Sequence, residues 1–363
     1  MKSKKINAII LVILALSLVF TLAACTSEPD TDKVEDSPSQ SENPNETAKT
    51  DYPTKPITMI IPYGAGGTTD LTGRQLAIQM EKHLGESITV INQGGASGSV
   101  GAKTVLDAKP DGYTILFTAE SLGTQRVMGL SEMSYDDFNP ILVTVNDPKV
   151  IVVNKDSKYN TLEDLSEDIM ARPGKVKMSY TGPGGSGHVQ SLIYGEFGWD
   201  LALTAYGSGS DCIVAVLGNQ VDFTNSNFST VRTYLDSGDL KLIGVAATER
   251  FDKYPDVPTI SEVIPGSEEY FEIPFTPLSL MVAKDVPNEV QEVLKEAANK
   301  AVKEEEWITY VENNSLDKLY EKYPDLDSTK EFYSEWESIV SWLLYDAGAA
   351  KYSPEKFGIS KPE

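Results

Sequence analysis

"ITMIIPYGAGGTTDL", Ile57 to Leu71, joins an apolar, β-branched run to a loop of three glycines and two threonines. The run "ITMIIP" (Ile57–Pro62) carries no charge and reads as a buried strand. Beyond the loop, Gly73, Ala77, Met80 and Leu84 fall on one helical face. Small residues where a strand hands over to a helix let something approach the backbone closely. The visitor could be a nucleotide phosphate, a catalytic intermediate, or a ligand that is only held.

Working outward, the same order occurs twice. After the first helix come a strand, "ITVIN" (Ile88–Asn92), a loop, "QGGASGSVG", and a strand within "PDGYTILFTA" (Pro110–Ala119). Further along, "VKMSY" (Val176–Tyr180) leads into the loop "TGPGGSGH" (Thr181–His188) and a helix faced by Val189, Leu192, Ile193 and Phe197. "LALTAYG" (Leu201–Gly207), the loop "SGSD" (Ser208–Asp211), a helix through Cys212 to Leu217 and "VDFTN" (Val221–Asn225) complete the second unit. Strands alternating with helices predict a mainly parallel sheet in each of two lobes. "KVIVVNKD" (Lys149–Asp156) and "PLSLMVAKD" (Pro277–Asp285) are the expected connections between them. The expected lobes are 51–153 plus 274–363, and 154–273. The C-terminal part reads as helical, with one helix starting at Pro287 and another carrying Phe332, Trp336, Ile339, Val340 and Leu343.

Several chemistries fail on spacing. Gly64 and Gly66 are followed by Thr69 where a dinucleotide loop needs its third glycine. No Gly-Lys-Ser/Thr phosphate loop and no G-x-S-x-G nucleophile elbow occurs. Two histidines, His83 and His188, and two cysteines, Cys25 and Cys212, offer no zinc-ligand spacing. No catalytic residue, metal or cofactor is therefore expected. The formal net charge of -23 argues against nucleic acid, whose phosphates demand Lys and Arg. What remains is anion binding at helix N-termini, where unpaired N–H groups and the macrodipole act without any basic side chain. Thr68, Thr69, Ser97, Ser99, Ser186 and Ser208 could add hydroxyls or serve only as caps.

The N-terminus is a separate matter. Lys2, Lys4 and Lys5 precede the apolar run Ala8–Phe20, which falls short of the ~20 residues of a membrane span. "LAAC" (Leu22–Cys25) resembles a bacterial lipobox, so residues 1–24 are expected to be a lipoprotein signal peptide and Cys25 the lipidated residue. Residues 25–50, rich in Ser, Thr, Pro, Asn, Asp and Glu, read as a disordered tether.

"YPTKPITMIIPYGAGGTTD", "GGASGSVGAKTVLDAKPDGYTILF", "LGNQVDF", "YPDVPTISE" and "STKEFYSEWESIVSWLLYDAG" together resemble solute-binding proteins of the tripartite tricarboxylate transporter, the TctC or Bug family. The resemblance implies a two-lobed type II periplasmic-binding-protein fold, α/β, that closes on its ligand. Together with the lipobox, it implies a lipid-anchored extracytoplasmic receptor that passes a small carboxylate, such as a di- or tricarboxylate, to a permease of one large and one small integral subunit. The implied ligand-binding residues are Tyr63, Gly64, Ala65, Gly66, Gly67, Thr68, Thr69 and Asp70 in the first loop and Thr181, Gly182, Gly184, Gly185, Ser186 and His188 in the second. Ser97, Ser121, Tyr206 and Asn225 are further candidate ligand-binding residues beside these loops. One departure matters: a lysine usual after the Tyr206 position is Gly207 here, and Asp211 follows. That change points away from a highly charged tricarboxylate. A sensory lipoprotein feeding a signalling kinase and a cell-surface enzyme are the alternative readings.

Overall fold

Eleven strands form two sheets in a computed structural model that describes residues 51–362. They are β1 (Ile57–Ile61), β2 (Ile88–Asn92), β3 (Thr114–Thr118), β4 (Phe138–Asn146), β5 (Lys149–Asn154), β6 (Lys177–Tyr180), β7 (Ala202–Ala205), β8 (Phe223–Asn227), β9 (Leu240–Ala246), β10 (Pro277–Ala283) and β11 (Asp317–Lys318). The expected leader, Cys25 and tether lie outside the described residues.

The first sheet has the order β11-β4-β10-β3-β1-β2 and the second β7-β6-β8-β5-β9. In each, the three strands bearing the small-residue loops run parallel. In each, the next strand is antiparallel: β10 beside β3, and β5 beside β8. These two strands are the ones the chain delivers just after leaving the other lobe, which turns the parallel sheets into mixed ones. The repetition seen in sequence is thus a repetition of topology. Each of β1, β3, β5, β8 and β10 is buried along nearly its whole length, as strands covered on both faces must be.

β5 pairs with β8 and β9, so it belongs wholly to the second sheet, although 153 was the expected end of the first lobe. The crossing falls in the two residues between β4 and β5, Asp147 and Pro148. β4 gave no clear signal in sequence, because Pro140 interrupts an otherwise apolar strand.

Helix Thr68–Leu84 packs against β1, β2 and β3 and against helix Asn288–Ala301. It stops at Gly85, whose left-handed backbone (φ 73°) sends its N–H back to the Glu81 carbonyl. Ile57, Met59, Ile61, Leu76, Met80 and Phe117 share one core with Leu294, Ala298 and Trp307. Helix Leu326–Asp346 starts at a capping box between Asp325 and Ser328. It packs on β4 and also meets helix Ser186–Glu196. A fully buried side chain such as Trp336 contributes at least ~2 kcal/mol there.

Candidate functional site

The loops at the C-terminal ends of the parallel strands converge on one cavity of about 50 Å³. Tyr63, Gly64, Gly67, Thr68, Thr69 and Asp70 line it from the β1 loop, and Ala119, Glu120 and Ser121 from the end of β3. The second sheet contributes Thr181 and Ser186 after β6, Ser208 and Gly209 after β7, and Asn227 at the end of β8. Thr276, just before β10, closes the set. This is where an open α/β sheet binds ligands, outside the carboxyl ends of its strands. Hydrogen bonds from Ser210 to the Ala65 carbonyl and from Ser97 to the Pro183 carbonyl bridge the lobes directly beside it, so the lobes are shut. Two larger hollows, of about 750 and 890 Å³, lie away from the glycine loops, one behind the crossing near Lys149 and Phe271, the other beside Arg126 and Glu337.

Both jaws are built alike. Helix Thr68–Leu84 starts at Gly67 (φ -80°, ψ 169°) and helix Ser186–Glu196 at Gly185 (φ -77°, ψ 166°). Neither glycine has a side chain to cap the first turn, so the leading N–H groups remain for other acceptors. Among the described residues no Lys or Arg lines the cavity.

Asp70 organises the first loop. Its Oδ2 accepts from Gly66 N at 2.9 Å, and its Oδ1 accepts from Arg74 Nε at 2.8 Å and Asn92 Nδ2 at 2.9 Å. Gly66 sits at φ +79°, which only glycine adopts without strain, and that bend brings its N–H back to Asp70. Tyr63 Oη and Ser121 Oγ share a hydrogen bond of 2.9 Å. Burial, with Glu120 nearby, pushes the Tyr63 phenol up and keeps it neutral.

The remaining candidates serve the frame or the seam. Ala65 accepts through its carbonyl from Ser210 Oγ at 2.9 Å, and Ser97 Oγ donates to the Pro183 carbonyl at 2.8 Å, both across the lobes. Thr124 Oγ1 donates to the Gly184 carbonyl at 3.0 Å, while Gly182 approaches Ser97. His188 turns its Nδ1 to accept from Gly184 N at 3.1 Å and stacks on Tyr180, away from the cavity lining. Burial lowers its pKa and favours the neutral ring. Tyr206 Oη donates to Gln220 Oε1 at the edge of the second sheet. Asn225 is buried between Gln190 and Tyr194, inside the second lobe. Asp211 is exposed and accepts from Ser208 Oγ at 2.8 Å.

Glu120, Asn227 and Thr276 were not singled out from sequence. Asn227 lies two residues past the expected end of its strand, and Thr276 just outside the next one. Asn227 Nδ2 donates to the Asp147 carbonyl at 2.8 Å and to Thr276 Oγ1 at 3.0 Å. Lys149 Nζ donates to Asn227 Oδ1 at 3.0 Å. Asp147, at the crossing, takes the Thr68 hydroxyl from one lobe and the Ser229 hydroxyl from the other. Burial pushes its carboxyl up to about 6 and lowers the Lys149 ammonium. No group of His, Cys, Asp and Glu able to hold a metal occurs among the described residues.

Residues 72–339 match the model of the tripartite tricarboxylate transporter family receptor. BugT of Bordetella pertussis is 27% identical over 256 residues, covering 69% of this chain and 77% of BugT. A UPF0065 protein of Agrobacterium vitis is 30% identical over 260 residues, covering 71% of this chain and 74% of that protein. The solved periplasmic binding protein BugD superposes with a TM-score of 0.76 at 26% identity, over 83% of this chain and 100% of BugD. Two lobes closing glycine-led helix ends over one cavity agree with these likenesses: the chain belongs to the receptors of the tripartite tricarboxylate transporter family, which are solute-binding proteins and not enzymes.

Proposed function

We propose that the protein captures a small organic carboxylate between its lobes and hands it to a tripartite permease of one large and one small integral subunit. The observation that carries this is the pair of glycine-led helix N-termini facing one cavity that has no Lys or Arg among its described lining residues; the second already holds the Glu120 carboxylate on Ser186 N. Such ends bind an anion through oriented N–H groups. In this reading Tyr63, Gly64, Gly67, Thr68, Thr69, Ser121, Thr181 and Ser186 form the binding set, with Ser208, Asn227 and Thr276 added to it; Ala65, Gly66 and Asp70 hold the first loop in place. Gly182, Gly184, Gly185 and Ser97 shape the seam between jaws. The lobes are 51–146 with 277–362, and 149 to about 273, where the segment after β9 packs back on the second sheet. Cys25 carries the lipid that tethers the receptor on the outer side of the cell membrane.

A thermal-shift screen of small carboxylates, sugars and cations tests the reading. Ligand at about a hundred times its dissociation constant should stabilise the protein by roughly 2.7 kcal/mol, a rise of several degrees in melting temperature. A shift with a sugar or a cation, and none with any carboxylate, would sink it. Delivery is read separately, as uptake of the bound acid by cells with and without the receptor.

A further inference from the structure

Glu120 follows β3 in the first lobe and is 4% exposed. Its Oε1 accepts from Ser186 N at 2.7 Å. A carboxylate of the protein itself therefore occupies the start of helix Ser186–Glu196, the place where the second jaw would hold an anion. The other oxygen, Oε2, is buried and has no hydrogen-bond partner among the described residues. A buried acceptor left this way is unfavourable unless a donor arrives.

The rest of the cavity makes the missing partner specific. Glu120 lines the same space as Thr68 and Thr69, whose helix start has no N-cap side-chain bond and meets an acid only at the Thr68 hydroxyl, which donates to Asp147. Lys149, close enough to feel the Glu120 charge, donates to Asn227; Arg126 is paired with Glu337, and Arg74 with Asp70 and Asn92. One end of the cavity thus offers donors to an anion, and the other offers a carboxylate oxygen to a donor. A second ligand carboxylate would meet Glu120 at short range, out of bulk water, where like charges repel strongly.

We infer that the ligand is a small amino monocarboxylate: its carboxylate meets the leading N–H groups of helix Thr68–Leu84, and its ammonium donates to Glu120 Oε2. Dicarboxylates and tricarboxylates are the disfavoured class. This rests on the carboxylate-capture reading and narrows its substrate.

Calorimetric titration of the full chain with matched probes decides it: alanine, 3-aminopropanoate and 4-aminobutanoate against propanoate, butanoate, malonate and succinate. At least one amino acid should bind about tenfold or more tightly than its monocarboxylate and dicarboxylate counterparts, as a charge-assisted hydrogen bond of this kind implies. In Glu120→Gln that preference should fall by about tenfold while succinate or malonate gains. Succinate or malonate preferred by the wild type, or a preference unchanged in Glu120→Gln, overturns the inference and leaves carboxylate capture standing. Binding of none of these acids by either protein overturns both. Should Glu120→Gln not fold, the wild-type ranking alone decides, since a dicarboxylate at or above its amino counterpart contradicts the assignment.

Discussion

Asp70, Glu120 and Asp147 are three acids near one cavity, and their surroundings give them three jobs. Asp70 spends both oxygens on Gly66, Arg74 and Asn92, so it braces the loop it was expected to serve as a ligand contact. Its partners lie within about one strand and one helix of it, which is why its neighbourhood was partly legible. Glu120 meets Ser186, 66 residues away, and no local pattern announces such a pair. Asp147 is held by Thr68 and Ser229, and burial outweighs those bonds in pushing it up to about 6. An unfolded aspartate titrates near 3.9, so between that value and about 6 the native chain holds the extra proton and stability falls as pH rises. From about pH 5 to 7 this group should withdraw roughly 1 kcal/mol. In urea titrations of wild type and Asp147→Asn, the change in unfolding free energy from about pH 5 to pH 7 should differ between the two proteins by that amount, and equal changes would contradict the assignment.

At the level of elements, the informative unit is strand, glycine-rich loop and helix. The pattern was visible because apolar periodicity and small residues are properties of adjacent positions. Its exact use was not, since Gly64 gains its meaning only from the opposing lobe. A Cβ on Gly64 would lie 2.9 Å from Ser208 Cβ, closer than real side chains come. Gly64 has no left-handed backbone to forbid alanine. Gly64→Ala should therefore leave thermal stability without ligand nearly unchanged while weakening ligand binding roughly tenfold, through the 1–3 kcal/mol cost of overpacking a closed seam. Calorimetry and small-angle scattering would show weaker binding and a more open particle; wild-type affinity would mean the seam can yield. His188 carries the same lesson, because its ring clasps Gly184 within its own loop instead of reaching the cavity.

At the scale of the molecule, two sheets with matching strand order place equivalent loops face to face. Each sheet completes itself with an antiparallel strand arriving from the other lobe, so neither lobe is a continuous stretch of chain. Helix Leu326–Asp346 packs on β4 and on helix Ser186–Glu196, tying the end of the chain to both. The tether proposed for residues 25–50 would hold the receptor at a membrane. Cys25→Ser should move the protein from the membrane fraction to the medium or soluble extract, with ligand affinity unaltered. Membrane retention equal to wild type would remove the lipid-anchor proposal.

The amino-acid order alone carried the doubled α/β plan, the small-residue loops and the exclusion of nucleotide and nucleophile motifs. These are features of neighbouring residues, where hydrophobic period and glycine content act directly. The membership of β5 in the second sheet, the Glu120–Ser186 bond and the arrival of Asn227 and Thr276 at the cavity belong to folding at long range. Antiparallel pairing of a crossing strand and contacts between distant loops depend on which faces pack together. Such choices follow from burying the largest apolar area across the whole chain, and no short window of residues contains them.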